Sequence, residues 1–176
     1  MDLTKIVYEE FNNFEDSECD GYNGHNSDCG PTLADDIETE LRLIKEQSPI
    51  SLPDDYCEIF RLFGGGGIED KRKNYIIPTM TFWGWEDIED FAEMSDFFET
   101  CPNALPFGDD IGDKLYCLIQ TSTGTKIYMT WKSMFWDENY RHEIAESFTE
   151  LFTNPEAQRK FRNLYKFGED KGGDGR

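Results

Sequence analysis

Positive charge is what this chain has least of. It carries 17 Lys and Arg against 37 Asp and Glu, a formal net charge of -20 over 176 residues. Residues 74–113 contain no Lys or Arg at all, only the acids Glu86, Asp87, Glu89, Asp90, Glu93, Asp96, Glu99, Asp109, Asp110 and Asp113. Binding to nucleic acid or to an anionic membrane rests on cations that meet phosphates and release counterions, so neither is expected as a partner. Histidine is scarce too, with His25 and His142 alone. A nucleophilic Cys or Ser needs a base positioned beside it. Neither His25, in an acidic stretch, nor His142, read on a helix beside Glu143, comes with a sequence sign of a partner nucleophile. The five cysteines (Cys19, Cys29, Cys57, Cys101 and Cys117) are odd in number and lack a C-x-x-C spacing, so no disulfide framework is implied. No apolar run approaches the roughly 18 residues of a membrane helix, and no apolar segment follows a basic start. The expected setting is the reducing cytoplasm.

The charge that is present is unevenly placed. Residues 1–41 hold twelve acids against Lys5, whereas from Pro155 onward six bases face four acids. That last segment is expected to answer part of the acid internally. Self-repulsion on this scale destabilises a compact chain, and a basic protein is the natural partner. The length is that of one ordinary domain. Aromatics make up 15% of a chain that is only 38% hydrophobic, so the core should be built from large rings.

Leu3, Ile6, Val7 and Phe11 recur at helical spacing and predict a short amphipathic helix ending near residues 12–14. Residues 15–31 then read as an acidic linker. A helix over 32–45 carries Leu33, Ile37, Leu41 and Ile44 on one stripe, with acids in its first turns where the helix dipole favours them. Pro53 opens the next helix, whose face is Tyr56, Ile59, Phe60 and Phe63, and four glycines close it. Residues 74–82 read as a strand, edge or bulged at Pro78, and residues 85–100 as an amphipathic helix. Strands follow over 105–107, 114–121 and 125–131, the last two forming a hairpin. Residues 140–152 read as a helix, and a further helix starts at Asn154-Pro155. The predicted class is α+β, a small mixed or antiparallel sheet flanked by N- and C-terminal helices. Its expected division is an N-terminal helix plus acidic linker over 1–31, one domain over 32–167 and a frayed tail over 168–176.

Three segments occur in fixed order: Leu52-Pro53-x-x-Tyr56-x-x-Ile59-Phe60-x-x-Phe63-Gly64-Gly65, then Gly112-Asp113-x-x-Tyr116, then Ile144-Ala145-x-Ser147-Phe148-x-x-Leu151. Over roughly residues 35–153 the chain thereby resembles the SUKH superfamily, the Smi/Knr-type domain. The resemblance implies a SUKH-like α+β fold and a binder rather than an enzyme. Members are mostly bacterial immunity proteins that silence a toxin, and a minority are eukaryotic regulatory domains.

The helix over 85–100 sets like charges against each other at i,i+3 and i,i+4, as in Glu86 with Asp90 and Glu89 with Glu93. Each such pair destabilises a helix by about 0.2–0.5 kcal/mol. The face is a solvated surface, an anionic docking surface, or one paired internally with the C-terminal bases. Asp109-Asp110-x-Gly112-Asp113 gathers three carboxylates, which would suit a hard cation or an Asp-stabilised turn; the turn is the simpler account, and no metal is assigned. Cys19, His25 and Cys29 fall one short of the four ligands of a structural zinc site. Gly64 to Gly67 follows a helix and lacks the Lys-Ser/Thr of a phosphate loop. Trp131-x-x-Met134-Phe135-Trp136 puts bulky side chains in a loop, where they pack under the sheet or form the rim of an interface.

The functional expectation is a non-enzymatic immunity protein with no cofactor and no catalytic residues. It would bind a cognate basic toxin domain, a nuclease, by stoichiometric occlusion. The candidate contact residues are Trp85, Glu86, Asp87, Glu89, Asp90, Glu93, Asp109, Asp110, Trp136, Asp137 and Glu138. The alternatives are a regulatory interaction scaffold of the Smi/Knr type and a metal-dependent enzyme built on Asp109, Asp110 and Asp113.

Overall fold

The computed structural model describes residues 3, 11–14, 34–64, 66–70 and 78–171. They run in the order β1 (Phe11–Phe14), α1 (Ala34–Gln47), α2 (Asp54–Phe63), β2 (Gly67–Asp70), β3 (Met80–Thr81), α3 (Trp85–Ser95), α4 (Phe97–Thr100), β4 (Ala104–Asp109), β5 (Lys114–Thr121), β6 (Gly124–Trp131), a 3-10 turn (Glu138–Tyr140), β7 (His142–Ala145), α5 (Phe148–Thr153) and α6 (Pro155–Lys171). The class is α+β and all strand pairs are antiparallel, in two sheets of order β1-β2-β3 and β4-β5-β6-β7.

Alternation along β5 organises the layers. Tyr116 and Leu118 enter a large core on one face, while Leu115, Cys117 and Ile119 enter a smaller core on the other, the period-two pattern of a pleated strand. The large core takes Tyr56, Ile59, Phe60 and Phe63 from α2, Phe148, Leu151 and Phe152 from α5, and Ala157 and Phe161 from α6. The small core is closed by Ala92 of α3, Phe97 of α4 and Phe135 of the loop after β6. At the centre, the Phe107 ring meets Tyr56 at 5.9 Å, Phe82 at 5.7 Å, Tyr116 at 6.2 Å and Phe148 at 5.4 Å between centroids. Most of the apolar positions of the three sequence segments therefore form one aromatic nucleus.

The two sheets join edge to edge. The Trp83 N–H donates to the Phe107 carbonyl at 2.9 Å, and the Thr81 hydroxyl donates to Asp109 Oδ1 at 2.7 Å. The register of β4 slips between Pro106 and Gly108, a bulge that bends a strand and re-aims its side chains. At Gly108 the backbone of β3 passes so close that a Cβ would collide with the Thr81 carbonyl.

Three sequence expectations are corrected. Residues 140–152 are not one helix: His142–Ala145 pair with β6 as β7, and the helix starts only at Phe148. Ser147 caps it, its hydroxyl accepting the Glu150 N–H at 3.0 Å, while Glu150 reaches back to the Glu146 N–H at 2.7 Å. This is close to a capping box, and β7 escaped notice because Ile144, Ala145 and Phe148 also fit a helical stripe. Second, Phe11–Phe14 are a strand on β2 rather than the end of a helix, although Leu3 is helical and buried in the large core. The helix expected over 85–100 is interrupted at Asp96, which sits in the left-handed region at φ 53°. α6 continues helically to Lys171. Ile6 and Val7, the linker over 15–31 with Cys19, His25 and Cys29, the helix start at 32–33, Gly65, the strand residues 74–77 and the tail residues 172–176 lie outside the described residues.

Buried Tyr56 is the one cost in the nucleus that chemistry can remove: its hydroxyl has no hydrogen-bond partner among the described residues. Tyr56→Phe keeps the ring and deletes the unsatisfied group, so urea titration should show unchanged stability or a gain of up to about 1 kcal/mol. Gly108→Ala, by contrast, forces the two sheets apart, and a loss of about 1–3 kcal/mol or more is expected in the same assay.

Candidate functional site

α3 begins at a Gly84 N-cap that offers no side chain, and its first turn is served from another element: the Trp85 N–H donates to Glu40 Oε2 of α1 at 2.7 Å. Ile88 and Ala92 turn inward and are buried. Glu86, Asp87, Glu89, Asp90 and Glu93 are all exposed, and Trp85 is half-buried against the large core. No ion pair reaches any of these five carboxylates among the described residues.

The bases are used elsewhere. Lys126 bridges Glu143 and Glu146, Lys160 meets Glu143 at 3.5 Å, Arg61 meets Glu38 and Arg159 meets Glu156. Burial works against ionisation of Glu143, but Lys126 and Lys160 outweigh it and hold its carboxyl below the usual range. The C-terminal bases that form described ion pairs thus serve β7 and their own helix, not α3. Crowding on α3 shows at Asp87, where partial loss of hydration, then the charge of Glu86, push the carboxyl above its usual range, with Asp90 and Asp109 adding to the effect and a hydrogen bond to the Gly84 backbone opposing it.

The aromatic loop after β6 lies against α3. Phe135 is buried and its ring meets Phe91 of α3 at 6.0 Å and Phe97 of α4 at 5.0 Å. Trp136 follows it outward, 53% exposed. Arg141 fastens the loop: its Nε donates to the Phe135 carbonyl at 2.9 Å, one terminal nitrogen meets Cys101 Sγ at 3.1 Å, and the other lies 3.6 Å from Glu138. Asp137 caps the 3-10 turn, accepting the Asn139 N–H at 2.9 Å. α3 spans both cores, with Ile88 and Trp85 on the large one and Ala92 and Phe91 on the small one, and Phe135 brings the loop that carries Trp136 to Glu138 against its second half.

Asp109 and Asp110 are placed differently. Both are half-buried and bonded within the fold. Asp109 meets Lys132 Nζ at 2.6 Å and accepts from Thr81 and the Ile111 N–H. Asp110 accepts the Gly112 and Lys114 N–H groups, both at 2.9 Å, and the Tyr165 hydroxyl at 2.9 Å. Their carboxylates hold a turn, as Asp side chains do when they bond the backbone ahead. His142 is in β7, its ring 5.6 Å from that of Trp131. Cys57, Cys101 and Cys117 are free and buried, and burial raises the pKa of all three, which keeps them as thiols rather than nucleophilic thiolates.

A nucleus built from the three sequence segments directs attention to the family. The SMI1 / KNR4 family (SUKH-1) matches residues 38–154. The chain belongs to this family. The comparison with curated proteins found no match. SUKH domains are known for immunity proteins and are of a protein-interaction, generally non-enzymatic type. No helix among the described residues is long and apolar enough to cross a membrane.

The sequence pointed to the acids of α3 but missed Met94, which stands 82% exposed on the same helix, and the contribution of α4. Helical spacing from Asp90 places Met94 on the outer face; the break at Asp96 had no comparable signal. Asp87 offers a test of the crowding. Its folded-state pKa lies above the unfolded one, so the ionised form disfavours the fold, fully so above the folded pKa, and relief comes as pH falls through it. Asp87→Asn is expected to raise Tm at neutral pH, with the gain vanishing in acid; a lower Tm at neutral pH would mean that the carboxylate's favourable interaction with the helix dipole dominates.

Proposed function

We propose that this SUKH-1 protein is an immunity protein that acts in the cytoplasm. It binds a cognate basic toxin domain, a nuclease, in a one-to-one complex and occludes its active site. The observation that carries the reading is the crest of α3, where Glu86, Asp87, Glu89, Asp90 and Glu93 are exposed with no ion pair among the described residues. Repulsion along such a face is relieved when a cationic surface covers it, and complementary fields raise association rates and fix register. An active site that attracts phosphates is itself electropositive, so carboxylates can stand where phosphates would. Trp85 and exposed Trp136, with Asp137 and Glu138 beside it, supply the apolar and polar rim of an interface of this kind. Asp109 and Asp110 contribute through the turn they hold.

The test is rescue. The C-terminal domain encoded immediately upstream is expressed in a host with and without this protein. Survival together with a co-purifying one-to-one complex is expected; no rescue and no complex would shift the assignment to a regulatory interaction domain, the other type known in the superfamily. With the toxin in hand, Glu86→Lys, Asp90→Lys and Glu93→Lys combined should leave the circular dichroism spectrum unchanged and slow association several-fold at low salt. An unaltered on-rate would refute the role of this face.

A further inference from the structure

Next to the crest of α3 is a concave surface that charge patterning did not reveal. Asp96, in the left-handed region at φ 53° and ψ 36°, ends α3, its N–H donating to the Ala92 carbonyl, and its own carbonyl accepts the Thr100 N–H at 3.1 Å to start α4. An L-residue adopts this conformation at a cost that Asp and Asn bear better than most. The break sets α4 beside α3, and between them and the end of α1 at Gln47 opens a groove of ≈ 420 Å³. Trp85, Ala92 and Phe98 give it apolar surface, and the carboxylates Glu89, Glu93, Asp96 and Glu99 stand along it. All four of these acids are exposed and none has an ion-pair partner among the described residues.

We propose that this groove is the seat of a lysine- or arginine-bearing segment of the partner protein, and that it, rather than the crest, anchors the complex. The proposal rests on the reading that the acidic face of α3 binds a basic protein. Its chemistry is specific: an aliphatic stem can lie on Trp85, Ala92 and Phe98 while its cationic head reaches the carboxylates, and long basic side chains bury their stems in this way while keeping the charge solvated. A Trp face adds attraction for a cation. Glu86 and Asp90, crest acids that do not line the groove, by comparison offer charge without a concave apolar surface, so their contribution is to steering.

The experiment separates recognition from net charge. The full chain is titrated with an amphipathic peptide of lysine and leucine and followed by amide and indole NMR. Two double variants are compared: Glu93→Gln with Glu99→Gln in the groove, and Glu86→Gln with Asp90→Asn on the crest. Each removes two negative charges, so a general field weakens equally in both. The expected result is a shift of the Trp85 indole and the Gln47 side-chain amide in the native chain, a roughly tenfold weaker association for the groove pair and less than about a twofold change for the crest pair. Equal losses in the two variants, or shifts confined to the crest, would overturn the assignment. Its failure is distinguishable from that of the immunity reading: rescue by a groove variant that retains native toxin affinity removes the groove and leaves immunity standing. Absence of rescue by the native chain, with the peptide still seated beside Trp85, removes immunity and leaves the groove.

Discussion

The Phe107 ring is the point on which the architecture turns. It touches rings from α2, β5, α5 and the segment after β3, so a single side chain ties four parts of the chain to the sheet. Edge-to-face and offset contacts of this kind add to the area that such rings remove from water. The neighbouring residue, Gly108, allows β3 to approach, and the bulge beside it re-aims β4. The small core on the opposite face, and with it the position of α3 and α4, depends on β4 and β5 being held in this register.

How the fold read from sequence compares with the fold observed follows the range over which each signal acts. α2 was legible because its apolar spacing, its acidic first turn and its terminal glycines agree, and β5 because its bounds are marked by turn residues on both sides. β7 was not, since four residues joined to a capped helix share one apolar pattern, and only Ser147 with Glu150 marks the boundary. The acids of α3 were legible as an outward face because Ile88 and Ala92 fix the inward one. The bonding of Asp109 and Asp110 was not, because Lys132, Thr81 and Tyr165 arrive from distant positions. The same holds for the groove, whose geometry follows from one backbone conformation at Asp96.

Charge is partitioned by element. Along β6 and β7, Lys126 is matched to Glu143 and Glu146 in short bridges, and Lys114, almost fully buried, lies over the rings of Trp131 and Tyr165 at 4.8 and 5.8 Å. On α3, by contrast, the acids have no ion pair among the described residues. A chain of this composition cannot neutralise every acid, and five exposed acids stand together on α3. Added salt screens such a face without weakening the ring contacts of the core.

Arg141 makes its hydrogen bonds to the Phe135 carbonyl and the Cys101 thiol, and only its longer contact, at 3.6 Å, goes to an outward side chain, exposed Glu138. The hydrogen bonds that attach the loop therefore do not depend on the side chains at 136 and 138, and an exposed ion pair such as that of Glu138 adds little. Under mutation, these two positions form a nearly neutral network: substitutions can accumulate there at small folding cost, and a lineage can exchange one binding preference for another through intermediates that remain folded.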